Sequence, residues 1–322
     1  MAEKSESEVV DVENKPLRVL TYNMYLRPML ISANGHDHKN SRLKEFCRDQ
    51  LATFDVICFQ EVFKELNWRR EKLLKKAKKA GFKWRVQTEK PLFPIFICDA
   101  GLIIISKYPI VYNKFKLYKR SIYADAVASK GALYAKIEVR PNQFLHIFNT
   151  HTQADYTLDY NEAKPSRDMR LSQIKQYAEF VKKMIKDDQY PVLLCGDFNV
   201  NGRAGTDGTT ESTEYADLLK NLIFPDEELI DLLLRDNNGV QPVTFGDSFI
   251  DPSGVETPCD SEITYQVSCM DKSRLDYIFH LKRKQENPQM KCSNCRVDKF
   301  QVKGKKFPFM SDHYGVTCDV FI

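Results

Sequence analysis

The sequence predicts an α/β fold whose strands are covered on both faces, and three observations support that expectation. Apolar, β-branched runs of strand length recur along the chain, several are apolar at nearly every position, and segments of helical periodicity lie between them. A length of 322 residues suggests about two domains, but α/β sandwiches and barrels of this size often form one. With 43% hydrophobic, 11% aromatic and 29% charged residues, the chain can bury a large core and keep a solvated surface.

Residues 1–16 are acidic and polar and end at Pro16, which reads as a disordered lead-in to a single domain over 17–322. The strand-like runs are LRVLTYNM, DVICFQEV, AGLIIIS, GALYAKIEV, FLHIFNTH, PVLLCGDFNV, RLDYIFH and YGVTCDVFI. A helix is expected from Lys64 to Ala80, stopped by Gly81, with its lysines on a solvated face. Another should begin at Ser166 as N-cap and bury Leu171, Ile174, Tyr177, Ala178, Val181 and Met184 at three- and four-residue steps. Residues 201–213 and 239–270 read as long loops. PLFPIFIC, residues 91–98, reads as core packing beside AGLIIIS, with contact to lipid as the alternative.

The net charge of +4 neither requires nor excludes a nucleic-acid substrate. No apolar run is long enough to span a bilayer, and the first residues resemble no signal peptide, so a cytoplasmic protein is expected. Nine cysteines, an odd number, with Cys58 and Cys195 inside apolar runs, suit a reducing compartment. Cys292 and Cys295 form a lone CSNC, which lacks the four ligands of a structural zinc and reads as packing.

The informative pattern is where polar residues fall. Asn23 ends VLTYN, Glu61 ends VICFQE, His151 ends IFNTH, and Asp197 and Asn199 end VLLCGDFN. Asp276 interrupts RLDYIF, and Asp312 and His313 open the last strand. Singly, each has an ordinary use as a turn, cap or structural histidine. A carboxylate buried without a partner is costly, so six such sites at strand ends argue for a shared purpose.

In order, N(23), QE(60–61), TH(150–151), GDFN(196–199), LDYI(275–278) and SDH(311–313) resemble the motif set of the DNase I-like endonuclease/exonuclease/phosphatase superfamily. NTHTQA, GDFNVN and the DAVASKG stretch from Asp125 to Gly131 resemble its neutral sphingomyelinases. Thr152 departs from them, standing where an aliphatic residue is usual. The resemblance implies a four-layer sandwich, two mixed β-sheets packed face to face with helices on the outer faces. It implies Mg²⁺, with Mn²⁺ as a substitute, bound by Glu61 and Asn23 and supported by Asp312. It makes His313 the general base oriented by Asp276, with Asp197 and Asn199 positioning water and phosphoryl oxygens. His151 would donate to phosphate or leaving oxygen. Lys130, held by Asp125, has the reach to meet a phosphate as a point charge.

The residue types also suit that chemistry in their own right. Mg²⁺ keeps most of its waters and needs one or two carboxylates, and imidazole suits proton abstraction near neutral pH. The implied activity is hydrolysis of sphingomyelin or a related choline phospholipid at a membrane surface, the protein associating peripherally and without a stable nucleic-acid partner. A nuclease sharing this core is the first alternative. An inositol-phosphate 5-phosphatase lacks support, because WLGDLNYR and PAWCDR are missing. A catalytically dead scaffold is disfavoured by the full set of polar positions.

Overall fold

In a computed structural model, residues 15–28, 37–65, 67–88, 94–157, 159, 161–205, 207–263 and 272–322 are described. Most of the expected lead-in and part of PLFPIFIC lie outside these residues. In chain order the elements are β1 (Leu17–Leu26), α1 (Lys39–Asp49), β2 (Val56–Val62), α2 (Arg69–Lys79), β3 (Trp84–Gln87), β4 (Ile103–Ser106) and β5 (Ile110–Leu117). Next come β6 (Gly131–Arg140), β7 (Gln143–His151), α3 (Lys164–Ile185), β8 (Val192–Asp197), β9 (Arg203–Ala204), β10 (Thr210–Glu211) and α4 (Thr213–Asn221). The chain ends with β11 (Glu227–Asp231), α5 (Leu232–Asp236), β12 (Ser248–Ile250), β13 (Glu256–Pro258), β14 (Asp276–Arg283), β15 (Lys291–Asp298) and β16 (Gly315–Phe321).

Two six-stranded mixed sheets result, ordered β15-β16-β1-β2-β4-β3 and β11-β14-β8-β7-β6-β5. The pleat sends alternate residues to opposite faces. On β1 and β2, Val19, Val56 and Cys58 enter the layer between the sheets, while Leu20, Tyr22, Ile57 and Phe59 pack under α1 and α2. On β7, Leu145 and Ile147 face the other sheet, and Phe148 packs with Ile174, Tyr177 and Val181 of α3. The expected four layers are therefore present, and each central strand is apolar throughout because both its faces are covered.

Two helix starts differ from expectation. The first expected helix begins at Arg69, because Asn67 Oδ1 accepts the Arg69 backbone N–H (3.1 Å) and Asn67 Nδ2 reaches back to the Leu26 carbonyl. It ends as expected before Gly81, whose φ is +96°. The second begins at Lys164, not after Ser166, which lies buried inside it. Pro165 fits the first turn because the N–H it lacks would have no intrahelical partner there.

Parallel pairing occurs once at the centre of each sheet, β1 with β2 and β7 with β8. Both pairs end at the same edge of the sandwich, and a buried amide clasp joins them. Asn149 of β7 donates to the Phe59 and Ile103 carbonyls of the opposite sheet (2.8 and 3.2 Å), and its Oδ1 accepts from Gln60 Nε2 of β2 (2.7 Å). Asn149→Ala would strand these groups away from water, at about 1–3 kcal/mol for each buried group left unpaired. We expect urea unfolding to register a loss of about 3 kcal/mol. A change within about 0.5 kcal/mol, the range of ordinary surface substitutions, would contradict the clasp.

Candidate active site

The ten residues singled out in the sequence gather at the strand ends just beyond this clasp. In the second sheet, His151, Asp197 and Asp276 sit side by side on β7, β8 and β14, His151 in register with Asp197 and Asp197 with Asp276. Gly196, at φ +143°, lets β8 approach β7, since a Cβ there would meet the Thr150 carbonyl at 2.3 Å. In the first sheet, Asn23 pairs with Gln60, and Glu61 follows. The β1–β2 register shifts beyond Asn23, and Tyr25, Glu61 and Asn199 all take left-handed backbone conformations, φ 50°, 55° and 49°. Such conformations concentrate at functional sites, where the surrounding structure must hold them.

Asn23 crosses between the sheets and donates to Asp197 Oδ2 (3.0 Å), while its Oδ1 accepts the Tyr25 backbone N–H (3.1 Å). His313, on the segment entering β16, meets Asp276 Oδ2 through Nδ1 at 2.9 Å and Asp197 Oδ2 through Nε2 at 3.7 Å. The Phe245 ring packs against its imidazole, centroids 4.8 Å apart. Ser311 Oγ donates to the Asn23 carbonyl (2.7 Å) and touches Asp312, which ties the SDH segment to β1.

Lys130 is buried and contacts Asp125 (2.9 Å), His151 Nε2 (3.2 Å) and the Thr152 carbonyl (2.5 Å). Asn199 Nδ2 donates to the same carbonyl (3.0 Å), and its backbone N–H closes a turn onto Asp197 Oδ1 (2.9 Å). The Thr152 hydroxyl donates to the Phe198 carbonyl. The departure at Thr152 therefore supplies a buried hydrogen bond that an aliphatic residue lacks. Lys130 and Asp125 form a buried arm of the site and are not a solvated pair.

Charge is dense and balanced. Burial opposes ionisation of Glu61, but the Arg27 guanidinium, 2.8 Å away, outweighs it and holds the carboxyl well below its usual range. Burial pushes the Asp312 carboxyl up, and the Glu61 charge adds to that. Burial alone would lower His313, yet Asp276 and then Asp197 outweigh it and raise it to about 10. His151 is lowered by burial and by the Lys130 charge, so it is neutral. An ammonium only donates, so the Lys130 contact with Nε2 leaves the His151 proton on Nδ1. That Nδ1 and Asp276 Oδ1 are buried without a partner among the described residues, as groups awaiting a ligand can be.

Two oxygen-bearing sets have the means to hold a cation. Asp197, Asp276 and His313 place one ligand atom each within 4.8 Å of one another, but the imidazole is engaged by both acids, a relay geometry, and a hard cation prefers oxygen. The Glu61 charge helps to raise the Asp312 carboxyl, a repulsion that a cation bound by the two would relieve. The second set suits Mg²⁺ better. Arg27 and Phe245 were not legible as site residues, since neither stands in a motif, and Thr152 showed only as a departure within NTHTQA; Arg27 lies four residues past Asn23, the one local hint.

Residues 20–281 match the model of the Endonuclease/Exonuclease/phosphatase family. A sphingomyelinase of Dictyostelium discoideum is 32% identical over 329 residues, covering 83% of this chain and 71% of that protein. A crystal structure of beta toxin from Staphylococcus aureus superposes with a TM-score of 0.69 at 25% identity, covering 94% of this chain and 99% of that one. A variant of that toxin with bound magnesium ions matches with a TM-score of 0.67, also at 25% identity, over 95% of this chain and 99% of its own. Motif order, two-sheet architecture and these likenesses agree: the chain belongs to the endonuclease/exonuclease/phosphatase family, in its sphingomyelinase branch.

Proposed function

We propose that this chain, a phosphoric diester hydrolase by family, cleaves sphingomyelin or a related choline phospholipid to the lipid alcohol and phosphocholine in a Mg²⁺-dependent reaction. The observation that carries the reading is His313 held between Asp276 and Asp197, with Glu61 facing them from the other sheet. Sphingomyelinase relatives support the choice of lipid over nucleic acid.

Glu61, assisted by Asn23 and supported by Asp312, would hold the metal, and the Asn23 amide would also keep Asp197 turned toward the reacting water. Bound there, Mg²⁺ supplies Lewis-acid polarisation of the phosphodiester and charge for the developing alkoxide. His313 in its neutral form takes the proton of the attacking water, and Asp276 keeps the proton on Nδ1 and stabilises the imidazolium that forms. Asp197 orients that water. Lys130, steadied by Asp125, and Asn199 stand beside the phosphoryl oxygens, and His151, neutral, donates toward the phosphate or leaving oxygen.

Access to lipid fits the surface next to the Lys130 arm. The expectation of core packing for 91–98 holds for Phe96 and Cys98, whereas Ile95 and Ile97 are 52% and 60% exposed. Ile97 N–H donates to the Val127 carbonyl (2.8 Å), which joins this segment to exposed Tyr123 and Val127, and Tyr123 packs on Tyr156. Among the described residues no helix is long and apolar enough to cross a membrane. We read this apolar rim as a peripheral, reversible contact with the bilayer surface.

With Mg²⁺ present, the purified chain should release phosphocholine from sphingomyelin vesicles far faster than it nicks supercoiled plasmid or hydrolyses inositol polyphosphates. EDTA should abolish the release, and Mg²⁺ or Mn²⁺ should restore it. Rapid nicking without phosphocholine would shift the assignment to a nuclease.

The pH profile tests the base. Because the base acts neutral and carboxylates raise the His313 pKa, kcat/KM should increase with pH through that pKa. Asp276→Asn removes the strongest raising partner, so the acid limb should move to lower pH while the maximal rate drops by orders of magnitude. A histidine that merely grips phosphate as a cation gives the opposite profile, with activity falling as pH rises.

A further inference from the structure

Arg27 follows β1 directly, one residue past Leu26, and its guanidinium lies side-on to the Glu61 carboxylate of β2. Nε donates to Oε2 at 2.8 Å and Nη2 reaches Oε1 at 3.5 Å, so both carboxylate oxygens face one cation. These two bonds use two of the five N–H donors of the guanidinium.

The backbone brings the pair together. Tyr25 and Glu61 take left-handed conformations, φ 50° and 55°, where the β1–β2 register shifts between Asn23 and Leu26. Asn23 Oδ1 fixes the turn by accepting the Tyr25 backbone N–H at 3.1 Å. The turn presents the Tyr25 ring to Arg27, whose guanidinium carbon lies 4.6 Å from the ring centroid. Lys39, paired with Asp37, places its ammonium 4.9 Å from the same centroid. Arg27 is therefore held by a carboxylate and by an aromatic face that attracts cations.

The Glu61 side chain is 9% exposed and that of Arg27 39%, which puts the guanidinium on the solvent side of the carboxylate. A carboxylate buried without a counter-charge is costly, and Arg27 supplies that charge. The same contact sets a condition on any other cation. It must displace the guanidinium or share the carboxylate with it, and like charges repel strongly where water is scarce. A guanidinium does not lose its proton in proteins, so deprotonation never relieves the competition.

We infer that Arg27 is the resident counter-cation of Glu61, exchanged for Mg²⁺ when the metal binds, and that it sets the Mg²⁺ affinity of the site. The inference rests on the reading of Glu61 as a metal ligand. Through the exchange Glu61 keeps a positive partner in both states, which spares it the penalty of a buried charge left alone. The released guanidinium keeps its seat on the Tyr25 ring.

Isothermal titration with magnesium chloride on the wild-type chain, Arg27→Met and Arg27→Lys tests this, with circular dichroism as the check on folding. Arg27→Met should bind Mg²⁺ about tenfold more tightly than the wild type, or better. Arg27→Lys, which keeps the charge, should stay close to the wild type. A guanidinium that only props Glu61 in place makes the opposite prediction, so equal or weaker binding by Arg27→Met would overturn the inference. Tight binding by Arg27→Lys, matching Arg27→Met, would do so too, because charge would then not be the cause. Arg27→Gln, neutral and of similar reach, gives the same comparison if Arg27→Met does not fold. Mg²⁺ uptake missing from every chain refutes Glu61 as metal ligand and the inference with it, a failure distinct from equal uptake.

Discussion

Gln60 and Asn149 hydrogen-bond across the layer between two sheets at a depth where little else is polar. Each amide is costly to bury unless satisfied, so the contact fixes how β2 and β7 lie against one another. The site inherits that alignment. Glu61 follows Gln60 in the chain, and His151 lies two residues past Asn149, so two of its groups are each a residue or two from the clasp. Asn23 repeats the crossing one step outward by donating from β1 to Asp197 on β8.

What the clasp aligns is an electrostatic arrangement that neither sheet holds alone. The first sheet carries Asn23, Glu61, Asp312 and His313, and the second carries His151, Asp197 and Asp276. The histidines differ because their surroundings differ: His313 lies between two carboxylates and is raised, while His151 lies against Lys130 and is lowered. Two imidazoles pushed in opposite directions can take opposite parts in one proton transfer. Arg27, paired with Glu61 and stacked 4.6 Å from the Tyr25 ring centroid, balances the carboxylate charge on the first sheet's side.

Much of this was legible because central strands advertise themselves. All eight apolar runs became strands, and the polar residues at the ends of β1, β2, β7, β8 and β14 and just ahead of β16 lie together. Strands β5 and β15 were not, since each is a sheet edge with one face toward solvent and an ordinary polar composition. The 201–213 and 239–270 loops hold only the short ladders β9–β10 and β12–β13 in their described parts. The contacts made by Arg27, by Thr152 and by the Gln60–Asn149 clasp stayed hidden for another reason. Their importance lies in contacts between residues 34, 46 and 89 positions apart, which leave no local pattern.

The central claim is that the strand ends of two sheets together make a metal-dependent hydrolytic centre with Glu61 as its principal ligand. Isothermal titration with Mg²⁺ alone, on the wild-type chain and on Glu61→Gln, addresses that claim without relying on turnover. The account predicts saturable binding to the wild type, weakened by about tenfold or more in the variant, as loss of groups supporting a metal site typically does, with circular dichroism unchanged. Equal affinity in the two proteins, or no Mg²⁺ uptake by the wild type, would contradict it.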